Sequence, residues 1–273
     1  MKARQFTDQM NRSVCIPNNP QRIVSLVPSI TELLFDLGMG DRVVGVTRFC
    51  IFPPEARKNP INIGGTKKLH LDRIRKIQPD LIIGNKEENT KAEIEALARE
   101  FPVWMSDVNT MAQGIEMIRR VGEICEISEK ANALADAVNE AFDELTGVSF
   151  TRRLRVAYLI WNEPVMVAGS DNFINDVIWL SGFENVFGNQ INGENNRYPE
   201  VSADALINSD PDLLLLSSEP YPFQQKHLLH FQNTLPNSRV LLVDGTMFSW
   251  YGSRMLKMPE YLNELKQEIL PMI

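Results

Sequence analysis

Cysteine and histidine are scarce in this chain, with three of each among 273 residues. The cysteines (Cys15, Cys50, Cys125) are far apart, odd in number and form no CxxC pair. That excludes a disulfide scaffold and a zinc knuckle, and it fits a reducing compartment slightly better than an oxidising one. His227 and His230 have the i, i+3 spacing of helical metal ligands. His70 lies far from them, beside Asp72, so no converging set of three histidines and a carboxylate is expected, and no metal site with it. No run of about 18 apolar residues occurs, so no membrane-spanning helix is expected. No basic run occurs either, which removes the electrostatic footprint of a nucleic-acid binder. The net charge of −7, from 28 basic and 35 acidic residues, speaks to solubility. The opening MKARQFTDQMNRSVC lacks the apolar core of a secretory signal, which leaves a cytoplasmic location open. GxGxxG, GxxxxGK[ST], GxSxG and HExxH are all absent. No catalytic residue and no resident cofactor is therefore expected. An intracellular α/β enzyme or cofactor-handling protein is the alternative of another class, because fold does not dictate function.

What the chain does contain is ordinary for a globular protein: 44% hydrophobic and 23% charged residues. Its length suits two domains of roughly 130 residues. Strand-like apolar runs alternate with amphipathic helical runs. RIVSLV (22–27) is a strand. SITELLFDLG (29–38) is a helix with Ser29 as N-cap, Glu32 closing a capping box, and Gly38 ending it. RVVGV (42–46), DLIIG (80–84) and PVWMS (102–106) are strands; 71–77, 91–101 and 111–125 are helices. This rhythm predicts a mainly parallel sheet covered on both faces.

A longer helical pattern follows at 127–148, and then the rhythm restarts. RVAYLIWN (155–162) echoes RIVSLVPS (22–29). LDRIRKIQPDLIIG (71–84) is echoed by ADALINSDPDLLLL (203–216), with an acid (Asp72, Asp204) and a Pro-Asp pair at matching places. SRVLLVD (238–244) is a last strand and 254–270 a closing helix. The repeat predicts an α/β fold of two doubly wound lobes. These are an N-terminal lobe over 1–125, a connecting long helix over 126–150 and a C-terminal lobe over 151–273. A ligand cleft between the lobes is expected, at the carboxyl ends of the strands.

The runs RIVSLVPSITELLFDLGMGDRVVGVT, FPPEARKNPINIGG, LHLDRIRKIQPDLIIG and YPEVSADALINSDPDLLLL resemble one family over nearly the whole chain. It comprises the substrate-binding proteins of ABC importers for vitamin B12, ferric siderophores and haem, the helical-backbone receptor group. The vitamin B12-binding members are the most similar. The resemblance implies a non-enzymatic binding protein for a corrinoid, with a ferric siderophore or haem as the alternative, so that cobalt or iron would arrive with the ligand. It implies a permease dimer as partner, docked through Asp72 and Asp204 where the family usually has glutamate. It implies a place in the periplasm or anchored outside the cytoplasmic membrane. A monomer is expected.

The candidate ligand residues lie just after strands or in aromatic loops. In the first lobe they are Ser29, Phe49, Thr66 and Lys86; the last two stand where the vitamin B12 binders are similar in having tryptophan. In the second lobe they are Trp161, Met166, Tyr198, Trp250, Tyr251 and Arg254. The MFSWYGSR segment (247–254) places three aromatics in four residues beside an arginine. Flat rings of this kind stack on macrocycles at low entropic cost.

Overall fold

The structure, a computed structural model, describes residues 3–143, 145, 152–188 and 197–270. The chain divides into two compact units. Met1–Val108, Ala112–Glu140 and Tyr251–Leu256 form the first; Asn109–Met111, Ala141–Trp250 and Lys257–Ile273 form the second.

The first unit begins with an antiparallel hairpin of β1 (Ala3–Thr7) and β2 (Ser13–Pro17). There follow β3 (Ile23–Ser25), α1 (Pro28–Asp36), β4 (Val43–Val46) and β5 (Ile61–Asn62). A short hairpin of β6 (Gly64–Gly65) and β7 (Lys68–Leu69) leads to α2 (Leu71–Ile77), β8 (Leu81–Asn85), α3 (Lys91–Ala98) and β9 (Val103–Ser106). Two helices close the run, α4 (Met111–Ile124) and α5 (Ser128–Asp143). The main sheet has the order β5-β4-β3-β8-β9 and every pairing is parallel. All residues of β3, β8 and β9 are buried, which is why these strands read as continuous apolar runs rather than alternating ones.

The second unit repeats the plan. Its elements are β10 (Leu154–Trp161), β11 (Met166–Val167), α6 (Phe173–Leu180), β12 (Phe183–Asn185), α7 (Ala203–Asn208), β13 (Leu213–Ser217), α8 (Gln225–Thr234), β14 (Arg239–Val243), α9 (Thr246–Ser249) and α10 (Met258–Ile269). β10 pairs in parallel with β12 and β13, and β13 with β14; β11 adds an antiparallel edge. The order β12-β10-β13-β14 matches β4-β3-β8-β9, so the repeat expected from the sequence is present in the topology.

The Pro-Asp pairs explain part of that repeat. Asp80 accepts the backbone N–H groups of Gln21 (2.7 Å) and Arg22 (2.9 Å) where the chain enters β3. Asp212 accepts the N–H of Arg155 (2.7 Å) at the start of β10. Arg22 in turn donates to the carbonyls of Ile77 and Gln78 at the end of α2, and Arg155 to that of Ser209 at the end of α7 (2.7 Å). Each lobe thus ties a strand start to a helix end through one aspartate and one arginine, satisfying backbone groups that neither ladder can reach.

Three local expectations are corrected. Helix α1 starts one residue earlier than expected, with Val27 as N-cap and Pro28 at its first position, and no side chain caps it. Proline suits that place because its fixed φ is already helical and it has no N–H to leave unpaired. Ser29 is therefore inside the first turn, and Glu32 turns to Arg254 instead of back to the helix start. The closing helix is a 3-10 turn at Ser253–Lys257 followed by α10. The hairpins and α8 had no place in the sequence reading. The end of the expected long helix, at 144 and 146–148, and the expected lobe boundary at 150–151 lie outside the described residues.

Candidate ligand-binding site

In the first unit three of the expected candidates, Ser29, Phe49 and Lys86, sit beyond the carboxyl ends of parallel strands. Ser29 follows β3 and is buried at the start of α1. Phe49 follows β4, is 48% exposed and lies under the Arg48 guanidinium, 4.7 Å from the ring centre. Lys86 follows β8 and pairs with Asp107, which follows β9, at 2.5 Å. Thr66 is buried in the β6–β7 turn, its carbonyl accepting from Asn89 at 3.1 Å.

Tyr251 and Arg254 belong to this first unit, although the sequence reading assigned them to the second lobe. Arg254 is 6% exposed. It donates from Nε and Nη2 to the two carboxylate oxygens of Glu32 at 2.8 and 2.7 Å, and its guanidinium lies 4.7 Å from the Phe52 ring centre. Tyr251 is buried; burial and the nearby Glu88 and Glu87 raise its pKa well above the usual phenol value. Gly252 between them has φ +105, and a Cβ there would lie 3.4 Å from Leu33. Only glycine adopts that turn without strain.

In the second unit Trp161 ends β10, is 38% exposed and stands opposite Met166 in the β10–β11 register. Met166 also bridges to Glu200, two residues after the half-buried Tyr198. The Trp161 indole N–H donates to the Glu163 carbonyl at 3.0 Å. Its ring meets Tyr221 edge-on, with centroids 5.5 Å apart. Tyr221 meets Phe223 and His227 in the same way, at 4.8 and 5.3 Å. Phe223 and Phe231 root this group in the hydrophobic core of the unit. Trp250 is buried and donates to Glu219 Oε1 at 2.7 Å, as does Ser249. The structure therefore brings Trp161, Met166 and Tyr198 onto neighbouring segments, and holds Trp250 through the residue two before Tyr221.

Tyr221, His227, Glu219 and Glu32, which contact the candidates or their neighbours, are not among the residues expected from the sequence. The signal for the first was the run EPYPF (219–223), with two aromatics in five residues. A depression of about 420 Å³ beside α7, lined by Arg155, Glu200 and Asn208 among others, touches none of the ten ligand candidates.

The two expected docking acids occupy equivalent places, each in the first turn of its helix, α2 or α7. The Asp72 side chain is 90% exposed and pairs with Arg75 at 3.0 Å; Arg75 also grips Glu100 at 2.9 Å. Asp204 is exposed, two residues after Ser202, whose hydroxyl caps α7 by accepting the Ala205 N–H.

Comparison with known proteins agrees with this architecture. A family model described as periplasmic binding protein matches residues 23–236. The vitamin B12-binding protein of Vibrio campbellii is 29% identical over 73% of this chain and 72% of its own. The uncharacterized ABC transporter substrate-binding lipoprotein YvrC of Bacillus subtilis is 23% identical over 97% of this chain and 84% of its own. Among solved structures, the periplasmic heme-binding protein RhuT from Roseiflexus sp. RS-1, in apo form, superposes with a TM-score of 0.77 at 24% identity, covering 90% of this chain and 97% of that one. With its duplicated parallel α/β units and a family match that runs from β3 into the loop beyond α8, the chain belongs to the periplasmic binding protein family.

Proposed function

We propose that the chain is the substrate-binding component of an ABC importer and that it takes up a corrinoid. The observation that carries the ligand class is the partly exposed aromatic group at the carboxyl end of β10, where Trp161 stands beside Met166 and Tyr221. Such a surface offers a flat, polarisable face to a macrocycle. The cations expected near the ligand support the choice among macrocycles. Within the first unit Lys86 is paired with Asp107 and Arg254 with Glu32, so these two cations suit a ligand of little net charge better than a strongly anionic siderophore. The ligand named for the Vibrio relative points the same way. Haem, the ligand named for the Roseiflexus protein, is the second reading, because the same rings would stack on a porphyrin.

Function outside the cytoplasmic membrane is part of the proposal, supported by the family and by the lipoprotein relative. Among the described residues no helix is long and apolar enough to cross a membrane. The test is titration with cyanocobalamin, haemin and a ferric siderophore, read by tryptophan quenching. Cyanocobalamin is expected to bind tightest, with Kd below about 10 μM, or roughly −7 kcal/mol. Tighter binding of haemin selects the second reading, and no binding of any of the three overturns the ligand class.

A further inference from the structure

We infer that His227 is the positioning residue of the Trp161–Tyr221 surface and makes ligand uptake there dependent on pH. The inference rests on the reading that this surface holds the ligand. Its starting point is a tautomer. His227 Nδ1 accepts the backbone N–H of Gln224 at 2.9 Å, at the start of α8. A nitrogen that accepts carries no proton, so the proton of the neutral ring is on Nε2. Nε2 lies 3.1 Å from the Tyr221 hydroxyl, so it donates and the tyrosine oxygen accepts. The tyrosine is left with its own O–H to donate to a carbonyl or carboxylate oxygen of a ligand lying on Trp161. The backbone holds the pair in register: the Tyr221 N–H donates to the carbonyl of Ile160, the residue before Trp161, at 3.3 Å.

Protonation of His227 undoes this arrangement at its base. Nδ1 would become a donor facing the Gln224 N–H, so that half of the α8 capping box would be lost. A positive ring would also stand at a helix N-terminus, where the dipole opposes it. The charged groups around the ring act in both directions. Lys226 and His230 on α8 disfavour the cation, while Glu163 from the loop after β10 favours it. Partial burial and Lys226 together hold the imidazole below its usual pKa. A group whose folded pKa is depressed stabilises the fold above its unfolded value, about 6.5 for histidine. That contribution fades as pH falls from there through the folded value. The surface is thus set at neutral pH and loosened in acid.

Glutamine is the substitution that separates the roles. His227→Gln keeps an acceptor at the third helical position, where Gln commonly completes a capping box, yet it does not titrate. In ligand-free protein, the Trp161 indole N–H resonance of the wild type is expected to shift between pH 8 and pH 5 and that of H227Q to stay in place. No shift in the wild type, or the same shift in H227Q, overturns the inference, and this readout needs no ligand. With cyanocobalamin as the probe, affinity is expected to fall at least fivefold over the same range in the wild type and to stay level in H227Q. Tyr221→Phe keeps the ring and removes the hydroxyl, and should weaken binding about fivefold at pH 8, the worth of one hydrogen bond. Should cyanocobalamin not bind at all, the ligand reading fails, and the resonance shift still decides the role of His227.

Discussion

A buried arginine is costly unless its charge is met, and Arg254 is met by Glu32. The two side chains are 7% and 6% exposed, and their contact is bidentate. Removing one partner leaves an uncompensated charge in the interior, a loss of about 3–5 kcal/mol. Glu32→Ala should therefore lower the urea midpoint of unfolding sharply. The paired replacement Glu32→Leu with Arg254→Met should cost much less than either single change, since neither charge then remains buried. The pair lies 222 positions apart in sequence, and no spacing rule links them. From sequence, Glu32 had the look of a capping-box residue and Arg254 that of a ligand residue. The buried thiols follow the same physics in a quieter way: burial pushes the Cys125 thiol up to about 12 and raises Cys50, so both stay protonated and unreactive.

At the scale of elements, the strand-start corner carries stability that acid should remove. Arg152, with help from the Arg155 backbone N–H and against some desolvation, holds the Asp212 carboxyl below its ordinary range. A depressed acid contributes fully above its unfolded pKa, about 3.9, and loses that contribution as pH falls through the lower folded value. The melting temperature of the wild type should drop steeply below about pH 4. Asp212→Asn should be less stable at pH 7 and show a shallower drop in acid, because the group that titrates is gone. The strands and helices around this corner were legible as apolar runs punctuated by Pro-Asp. α8 was not, because its apolar positions are sparse: Phe231 is its one buried residue, and its cap is an unusual glutamine–histidine pair.

For the whole molecule, the prediction concerns the partner. Asp72 and Asp204 open equivalent helices in the two units, and we propose that they dock onto a permease dimer. An exposed pair such as Asp72–Arg75 is worth little by itself, so Asp72 can exchange Arg75 for a cation of the partner at small cost. Asp72→Arg combined with Asp204→Arg should abolish uptake in cells while leaving ligand affinity of the purified protein unchanged. Loss of ligand affinity instead would place the acids at the ligand and end the docking proposal. Interface charges of this type set orientation and encounter rate more than depth of binding.

The duplicated α/β plan could be read in advance because hydrophobic periodicity and Pro-Asp punctuation are local, and because a strand buried on both faces must be apolar throughout. The matched acids on α2 and α7 were visible for the same reason. The partners of polar side chains were not. Glu32 with Arg254, Lys86 with Asp107, and Tyr221 with His227 each depend on where a loop brings a charge or a hydrogen-bonding atom. That placement sets which cations still have charge to offer a ligand and which ring nitrogen holds a proton. For Glu32 and Arg254 it follows from packing between residues 222 positions apart, and for the other two pairs from the path of a loop, so it became readable only in the folded chain.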